Sequence, residues 1–464
     1  MADVELGRID EQTLGDYIAG QRWYGSKSRE IAHATVVEEV PLTETSPHCS
    51  LVLVEVRFHP GTHDTYQLLL GARPADEGWS GAVIADVDGW TVYDALADPE
   101  LAHTLVALMR ADRDALGREG TVELRTIGTP DALRPPPAQA VLVTAEQSNS
   151  SVVFGDELIL KLYRRLEAGI NPELELLRFL TIRGFENIAA LRGWYSYSGR
   201  PLDATLGVLQ QFVRGGSDGW KFALDTLAAD PDGFLATLPR LGEVTGAMHS
   251  TLASDATDPS FAPEDSSVES LGLLVASVDE EIQRVFVDLP EDVDALAPIA
   301  GRGEEVRDQL RLLSHVGSIG RVIRHHGDYH LGQVLWTGND WIVIDFEGEP
   351  ARSLSERRQK RSPLRDIAGM LRSFAYAASA LPRLRGVDPP SDFEQQAREE
   401  FLAGYLSTAD ASLLPSGEEA IARMLSVFEL EKAVYELRYE LDNRPDWIGI
   451  PVSGIDRLLH AGIA

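Results

Sequence analysis

The sequence predicts an α+β fold of two lobes, in which a β-rich N-terminal part precedes a mostly helical C-terminal part. The chain has 464 residues, too many for one ordinary hydrophobic core, so two or three packed units are expected. Alternating apolar and polar stretches dominate the first half. After Gly215 and Gly216 the pattern becomes mostly helical. Strands followed by helices are typical of the α+β class.

The N-terminal stretch predicts a short helix over 10–20 and then an antiparallel sheet with tight turns. The predicted strands are Ala34–Val40, Ser50–Phe58 and Thr65–Leu70. Residues 90–115 carry leucines at helical intervals and predict a helix. A proline-rich segment at 133–138 then predicts a break before the next part.

From Ala140 onward the pattern returns to strand, turn and strand, followed by a helix over 172–183 and one more strand. The predicted strands are Ala140–Val143, Gln147–Ser151, Val152–Phe154, Leu158–Tyr163 and Ala204–Phe212.

Composition excludes several classes of protein. The net charge of −31 argues against a nucleic-acid partner, because phosphate backbones require basic clusters. A single cysteine, Cys49, excludes intrachain disulfides and cysteine metal sites. No apolar run reaches the roughly 18 residues of a membrane helix, and the N-terminus lacks a secretory pattern, so a cytoplasmic protein without membrane contact is expected.

The segment 325–349 carries the strongest chemical signal. Asp328 follows His326 by two residues, Gln333 lies five residues further on, and Asp345 ends an apolar stretch. The interval of 17 residues between the two aspartates suits a hairpin that returns the second beside the first. Phosphoryl transfer requires one group that holds the acceptor hydroxyl and oxygen ligands for a divalent metal, and this set supplies both. The alternative, that these residues only support turns, does not account for their order and spacing.

This motif predicts an ATP-dependent small-molecule kinase with a protein-kinase-like core. Asp328 is the predicted catalytic residue, His326 is expected at the substrate, and Mg²⁺ is expected on Gln333 and Asp345. Kinases usually place Asn where Gln333 stands, and both amides offer a carbonyl oxygen to a metal.

Upstream residues predict the nucleotide site. The chain has only five lysines, and Lys161 lies in an otherwise apolar strand, where an unpaired ammonium would be costly. A strand lysine paired with a helix glutamate is the arrangement that holds ATP phosphates in kinases. Either Glu173 or Glu175 can supply that carboxylate, and Glu175 is preferred. The polar loop before this strand is expected to cover the phosphates, with Gln147, Ser148, Asn149, Ser150 and Ser151.

The strand Leu209–Val213 is expected to form the hinge between the lobes, where Gln211 and Val213 would contact adenine. An ordinary edge strand is the alternative.

Several long segments together resemble the maltokinase family, whose members transfer phosphate from ATP to maltose. They are Gln21–Gly25, Glu146–Ser151, His326–Val334, Ile344–Pro350, Ser362–Ala378 and Lys432–Pro451. Actinobacterial glucosamine kinases are close kin of this family, and aminoglycoside phosphotransferases share only the kinase core. The resemblance implies a β-rich cap subdomain over 1–90, an intermediate subdomain over 91–213, and a helical C-lobe over 214–464 that holds the sugar.

The resemblance also implies roles for individual residues. The catalytic, metal and nucleotide positions of the family fall on Asp328, on Gln333 with Asp345, and on Lys161. Its maltose-contacting positions fall on Lys432, Tyr435, Tyr439 and Arg457. The first three of these share one helix face, because they are spaced i, i+3 and i+7. The alternative is that the two tyrosines belong to the core.

The expected substrate is therefore maltose, in a protein that is a monomer or a homodimer. Glucosamine is the rival sugar, but it is a cation whose pocket should present an unpaired carboxylate, whereas Lys432 would repel it. Another small-molecule kinase of the aminoglycoside-phosphotransferase type, or a pseudokinase that binds without catalysis, are the remaining alternatives.

Overall fold

The computed structural model describes residues 8–59, 61–128, 133–143, 148–290, 292–315 and 319–460. The chain divides into two compact units, of which the first comprises residues 1–181 and 189–214 and the second comprises 182–188 and 215–464. The first unit is β-rich and the second is mainly helical, so the predicted α+β class is confirmed. The three-part division of the sequence stays a prediction.

The first unit contains a sheet of six strands and a sheet of seven, both antiparallel. Its elements in chain order are α1 (Glu11–Gly20), β1 (Ile31–Pro41), β2 (His48–Phe58), β3 (His63–Pro74), β4 (Ala85–Val87), β5 (Trp90–Asp94), α2 (Pro99–Arg110), β6 (Asp114–Leu116), β7 (Gly120–Thr126), β8 (Ala140–Val143), β9 (Asn149–Phe154), β10 (Leu158–Tyr163), β11 (Arg165–Leu166), α3 (Pro172–Ile182), β12 (Leu191–Gly199) and β13 (Ala204–Gln211).

A buried glutamine joins the two sheets of the first unit. The sheets run in the orders β1-β2-β3-β5-β4, with β11 against β3, and β6-β7-β12-β13-β10-β9-β8. Gln67 on β3 donates from its side-chain amide to the carbonyl of Tyr163 at 2.7 Å and also to the carbonyl of Leu206. Its amide oxygen accepts from the hydroxyl of Tyr195 at 3.1 Å. Because a buried amide without partners would be costly, these bonds fix the register of one sheet against the other.

The second unit contains two small sheets, β14-β17-β18 and β15-β16, among long helices. Its elements are β14 (Ser217–Asp218), α4 (Gly219–Ala229), α5 (Pro231–Leu235), α6 (Leu238–Leu252), β15 (Glu264–Asp265), α7 (Val268–Val287), α8 (Gly303–Leu313), β16 (Arg321–Val322), β17 (Val334–Trp336), β18 (Trp341–Val343), α9 (Leu354–Arg357), α10 (Leu364–Arg385), α11 (Phe393–Thr408), α12 (Glu418–Asn443) and α13 (Gly449–His460). Within the described residues, none of these helices is both long and apolar enough to cross a membrane.

Most predicted elements are confirmed, and two differ: the strands predicted separately over Gln147–Ser151 and Val152–Phe154 form one strand, Asn149–Phe154, and the helix predicted over 90–115 is divided. The hairpin between the two motif aspartates is present as β17 and β18, and β8 and β10 have the predicted bounds. The helix predicted over 90–115 is in fact a strand, a 3₁₀ turn over Ala95–Ala97, a helix over Pro99–Arg110 and a second short strand. Pro99 fits only the first turn of a helix, and Asp98 caps that turn at the amide of Glu100, which is why the helix begins there.

The helices α6 and α11 cross at closely packed glycines. A Cβ atom added to Gly404 would overlap the carbonyl oxygen of Pro239, and one added to Gly242 would overlap that of Phe401. Close approach brings His249 of α6 against Tyr405 of α11, whose hydroxyl lies 3.2 Å from the histidine Nδ1.

We expect Gly404→Ala to lower the free energy of unfolding by about 1–3 kcal/mol, because an added methyl group forces the two backbones apart. Gly20→Ala is the matched control, since nothing lies within 4 Å of a Cβ there and alanine is the better helix former. Urea unfolding of both variants measures the difference. Equal stability of the two variants would show that the crossing tolerates a methyl group.

Candidate active site

In the second unit, the loop that comprises residues 326–333, called the motif loop, is held in place by the buried carboxylate of Asp366. The backbone N–H groups of His326 and Gly327 donate to the two oxygens of Asp366, at 2.8 and 2.9 Å. Gly327 has φ of 88°, a conformation that side chains rarely adopt. Asp366 lies in the first turn of α10 and is 1% exposed. His249 Nε2 is a third donor to the carboxylate of Asp366, at 3.1 Å.

Asp366 is ionised despite its burial. Burial alone would raise the pKa of this carboxyl, but the charge that His325 acquires in acid and the hydrogen bond from His249 outweigh it, and the pKa lies well below the ordinary value. Sequence reasoning missed this residue. The available signal was an aspartate inside an apolar helix, Leu364–Leu371, where an acidic side chain is rarely buried without partners.

His326 supports the loop from inside. It is 1% exposed, its Nε2 donates to the carbonyl of Ile344 at 3.0 Å, and its Nδ1 accepts from the N–H of Asp328 at 3.4 Å. These bonds fix the tautomer and connect the loop to the end of β18. The ring of His326 is buried and lines neither cavity described below, and its contact with the substrate stays a prediction.

Asp328 itself is partly exposed and lies beside a cation. Its side chain is 20% exposed, and the ammonium of Lys432 on α12 lies 3.7 Å from Oδ1. His330 Nε2 lies 3.8 Å from the other oxygen. The resemblance implies a role for Lys432 at the substrate, and the structure brings this residue to the predicted catalytic residue as well.

Gln333 and Asp345 are neighbours. The amide nitrogen of Gln333 donates to Asp345 Oδ2 at 3.2 Å, across the start and end of the β17–β18 hairpin. Asp345 has φ of 61°, a left-handed conformation that costs about 1–2 kcal/mol for a non-glycine residue. An oxygen of Glu347 lies within 4.8 Å of an oxygen of Asp345. This oxygen-rich set fits a hard divalent cation such as Mg²⁺.

A cavity of 780 Å³ opens beside Asp328 in the second unit. It falls in the range of roughly 300–1,000 Å³ that is usual for small-molecule sites. Five aromatic side chains line it: Trp220, Tyr376, Tyr435, Tyr439 and Trp447. Tyr376 and Trp447 stack with their planes 17° apart. Flat aromatic faces with polar edges suit the C–H surfaces and hydroxyls of a sugar.

Both glutamates on the wall of this cavity are already paired. Glu436 accepts from Arg372 at 2.8 Å, and Glu440 accepts from Arg444 at 2.6 Å. The hydroxyl of Tyr376 donates to Glu440 at 3.0 Å. Arg457, expected at the sugar, lines neither cavity, and it bonds Glu394 and Glu429 instead.

In the first unit, Lys161 pairs with Glu173 at 2.9 Å. Glu173 is 1% exposed and also accepts from the hydroxyl of Tyr163 at 2.7 Å and from the amide of Gln210 at 3.1 Å. The preference for Glu175 is therefore wrong. Residues two apart lie on nearly opposite sides of a helix, so Glu173 and Glu175 point in different directions. Glu173 is on the side of α3 that contacts the strands carrying Lys161 and Gln210.

The loop before the lysine strand differs from the expectation. Gln147 lies outside the described residues, and Asn149–Ser151 already belong to β9, paired with β10. Ser150 and Ser151 are 7% and 0% exposed, and Ser150 accepts from Arg164 at 2.8 Å. Their hydroxyls are thus buried, and Ser148 is the exposed residue of the segment.

A buried arginine connects this strand to the N-terminal part of the unit. Arg164 is 2% exposed and donates to Asp94 at 2.6 Å as well as to Ser150. Gln211 and Val213 lie at the end of β13, where Gln211 is exposed. Their role at adenine stays a prediction.

Comparisons with known proteins agree with this architecture. Residues 17–98 match the profile described as "Maltokinase N-terminal cap domain", and residues 139–388 match "Phosphotransferase enzyme family". A glucosamine kinase of Mycolicibacterium smegmatis is 25% identical over 69% of this chain and 79% of its own length. A glucosamine kinase of Streptacidiphilus jiangxiensis is 26% identical over 68% of this chain and 73% of its own length.

Solved structures show the same fold. A glucosamine kinase in complex with glucosamine, ADP and inorganic phosphate superposes with a TM-score of 0.71 at 18% identity, covering 98% of this chain and 100% of that one. A second crystal form of a glucosamine kinase gives 0.72 at 20% identity, covering 96% and 99%. The protein thus has a phosphotransferase kinase-like fold with a β-rich N-terminal region.

We expect Asp366→Asn to loosen the motif loop, because an amide has one acceptor oxygen where the carboxylate has two. Hydrogen exchange at the amides of His326 and Gly327 should become at least about tenfold faster. Phosphoryl transfer should fall by about 100-fold, since misplacement of reacting groups by about 1 Å costs that much.

Asp442→Asn, on the exposed face of α12, is the control and should change neither quantity. The lowered pKa of Asp366 means that its contribution to folding stability is present at neutral pH and is lost as the pH falls below about 4. The variant should lack this part of the acid dependence. Unchanged exchange at the loop amides would refute the support by Asp366.

Proposed function

The chain belongs to the phosphotransferase enzyme family, as an ATP-dependent small-molecule kinase with a maltokinase-type cap, and we propose that its acceptor is maltose. The γ-phosphoryl group of ATP would pass to the anomeric hydroxyl of the sugar and give maltose 1-phosphate and ADP. The observation that carries the choice of sugar is the large aromatic cavity beside Asp328, whose wall glutamates are both paired with arginines.

On the nucleotide side, Lys161 would hold the α- and β-phosphates. Glu173 fixes the position of the lysine, because the same carboxylate is anchored by Tyr163 and Gln210. A pre-positioned ammonium stabilises phosphate charge without reorganisation during the reaction.

Mg²⁺ would bind to Gln333 and Asp345 and, when bound, neutralises charge on the transferred phosphates. The hydrogen bond from the Gln333 amide nitrogen and the constrained backbone of Asp345 hold these two side chains next to each other, and the amide would turn to present its oxygen to a metal. Loop support by His326 and Asp366 then sets the distance of Asp328 from this pair.

On the acceptor side, Asp328 would accept a hydrogen bond from the anomeric hydroxyl and orient its oxygen for in-line attack. The ammonium of Lys432 lies 3.7 Å from this carboxylate in the resting protein and attracts its negative charge. The same ammonium would lie near the entering phosphoryl group and stabilise its charge.

The charges of the large cavity favour a neutral sugar. A bound ammonium would need a carboxylate of its own, and among the described lining residues Glu436 and Glu440 are each committed to an arginine. Asp328 already faces Lys432, which would repel a cationic acceptor. An aromatic-lined volume of 780 Å³ has room for two sugar rings.

Glucosamine, phosphorylated at its 6-hydroxyl, is the second candidate acceptor. It is favoured by the names of the two curated relatives, which are both glucosamine kinases, and by full-length similarity to a glucosamine kinase structure. Identities of 25 and 26% leave room for a different acceptor in this chain.

The purified protein should be tested with ATP and Mg²⁺ against maltose, glucosamine, glucose and an aminoglycoside. We expect ADP formation with maltose, accompanied by an equal loss of reducing ends, because phosphorylation at the anomeric oxygen blocks ring opening. Asp328→Asn should abolish turnover while ATP still binds. ADP formation with glucosamine alone, with reducing ends retained, would replace the proposal by the second candidate.

Glu173→Gln should raise the KM for ATP by about tenfold or more with a smaller effect on the KM for sugar, because Lys161 loses its anchor. Glu175→Gln is the matched control two residues away and should leave both constants within about twofold. Steady-state kinetics with each substrate varied separately distinguish the outcomes. Equal effects of the two changes would contradict the role given to Glu173.

A further inference from the structure

A second, smaller cavity of the second unit lies against the motif loop and is bordered by a concentration of basic residues. Its volume is 80 Å³. Five basic residues and five acidic ones line it, in a chain that has 42 basic residues against 73 acidic ones; the basic residues are Arg352, Arg357, Arg361, Arg365 and Lys432. Asp328 lies on its wall as well as on that of the large cavity. The proposed function assigns no role to this space.

The carboxylates around this cavity are already committed. Glu349 pairs with Arg352 at 2.6 Å, and Glu431 pairs with Arg365 at 2.7 Å. Glu356 belongs to the capping box of α9, where its side chain accepts from Ser353. Asp366 is occupied by the loop amides, as described above. Glu349 and Glu431 therefore balance Arg352 and Arg365, while Glu356 and Asp366 are held by Ser353 and by backbone amides, and none of these four carboxylates pairs with Arg361.

Arg361 is a partly buried cation that lies near two other arginines. Its side chain donates to the amide oxygen of Gln359 at 2.8 Å, and among the described residues no carboxylate lies within ion-pair distance of it. Burial, followed by the like charges of Arg365 and Arg352, lowers the pKa of its guanidinium. The backbone of Arg361 is fixed by two hydrogen bonds to Ile323, at 2.9 and 3.0 Å, so the side chain cannot easily withdraw.

His325 adds a second polar group that lacks a partner. It lines the cavity, is 7% exposed, and its Nδ1 has no hydrogen-bond partner among the described residues. A buried ring nitrogen without a partner carries a desolvation cost of about 1–3 kcal/mol. Burial lowers the pKa of this ring to about 3, so at neutral pH it is an uncharged donor and acceptor.

We propose that this small cavity is a binding site for one phosphate group, held by the fork of Arg361 and by the ring of His325. The planar guanidinium matches two phosphate oxygens, which a point charge does not. On this measure of volume one water requires about 10–15 Å³, so 80 Å³ holds one tetrahedral oxyanion but no sugar ring. The phosphate belongs either to inorganic phosphate or to a phosphorylated sugar whose ring remains outside.

A phosphate bound in the small cavity would change the electrostatic surroundings of Asp328, the predicted catalytic residue. Asp328 and Lys432 line both cavities, and the ammonium of Lys432 would be shared between the anion and Asp328. The site thereby allows the enzyme to respond to phosphate or to a phosphorylated product.

Titration calorimetry of inorganic phosphate into the protein, without nucleotide or Mg²⁺, tests the proposal. We expect saturable binding at one site and at least tenfold weaker binding in Arg361→Gln. Arg385→Gln is the matched control, because Arg385 pairs with Asp225 at the surface and should leave binding unchanged. Phosphate binding should persist in Asp328→Asn, which loses turnover, so this test is independent of the proposed function.

A second measurement uses the wild-type protein, so it tests the proposal even where Arg361→Gln fails to fold. Phenylglyoxal modification of the wild-type protein, mapped by mass spectrometry, should be slowed at Arg361 by phosphate and not at Arg385. Repetition with maltose 1-phosphate distinguishes the sources: tighter binding than inorganic phosphate identifies a phosphorylated sugar, and weaker binding identifies the free ion. Absence of saturable binding, equal binding by Arg361→Gln, or loss of binding in Lys161→Ala instead would overturn the proposal.

Discussion

One buried carboxylate, that of Asp366, determines the geometry of the candidate active site. Its two oxygens accept from consecutive backbone amides of the motif loop, and His249 completes its hydrogen bonding from α6. A buried charge without such partners would be too costly to retain. The loop can therefore take only the conformation in which His326 points inward and Asp328 points to the cavities.

The helical packing of the second unit serves this interaction. Glycines at the crossing of α6 and α11 let His249 reach Tyr405 and Asp366 at the same time. The helix α10 carries Asp366 in its first turn and Arg372 two turns later, where it pairs with Glu436 at the large cavity. The same helix therefore holds the motif loop through Asp366 and neutralises a carboxylate of the large cavity through Arg372. A displacement of α10 would disturb both interactions.

Periodicity and motif spacing were sufficient to predict the α+β class, the strand that carries Lys161 and the hairpin between Asp328 and Asp345. They failed where the outcome depends on which face of an element meets its neighbour. Glu173 and Glu175 are equivalent in sequence, and only packing of α3 on the sheet selects Glu173. Leucine spacing in 90–115 did not distinguish a helix from a strand followed by a helix. The bond between Asp366 and the loop joins residues about forty positions apart, which no local pattern reveals.

The scarcity of basic residues explains why their positions are informative. The chain has 42 basic and 73 acidic side chains, so most cations at the site pair with a carboxylate. A cation without such a pair indicates a position where positive charge serves binding or catalysis rather than folding. Lys432 lies 3.7 Å from Asp328, so the two charges attract each other without a hydrogen bond that a substrate hydroxyl would have to break. Arg361 has an amide oxygen as its side-chain partner. Both cations line the small cavity beside Asp328, whose wall has five basic and five acidic side chains, so this wall is far less acidic than a chain with a net charge of −31.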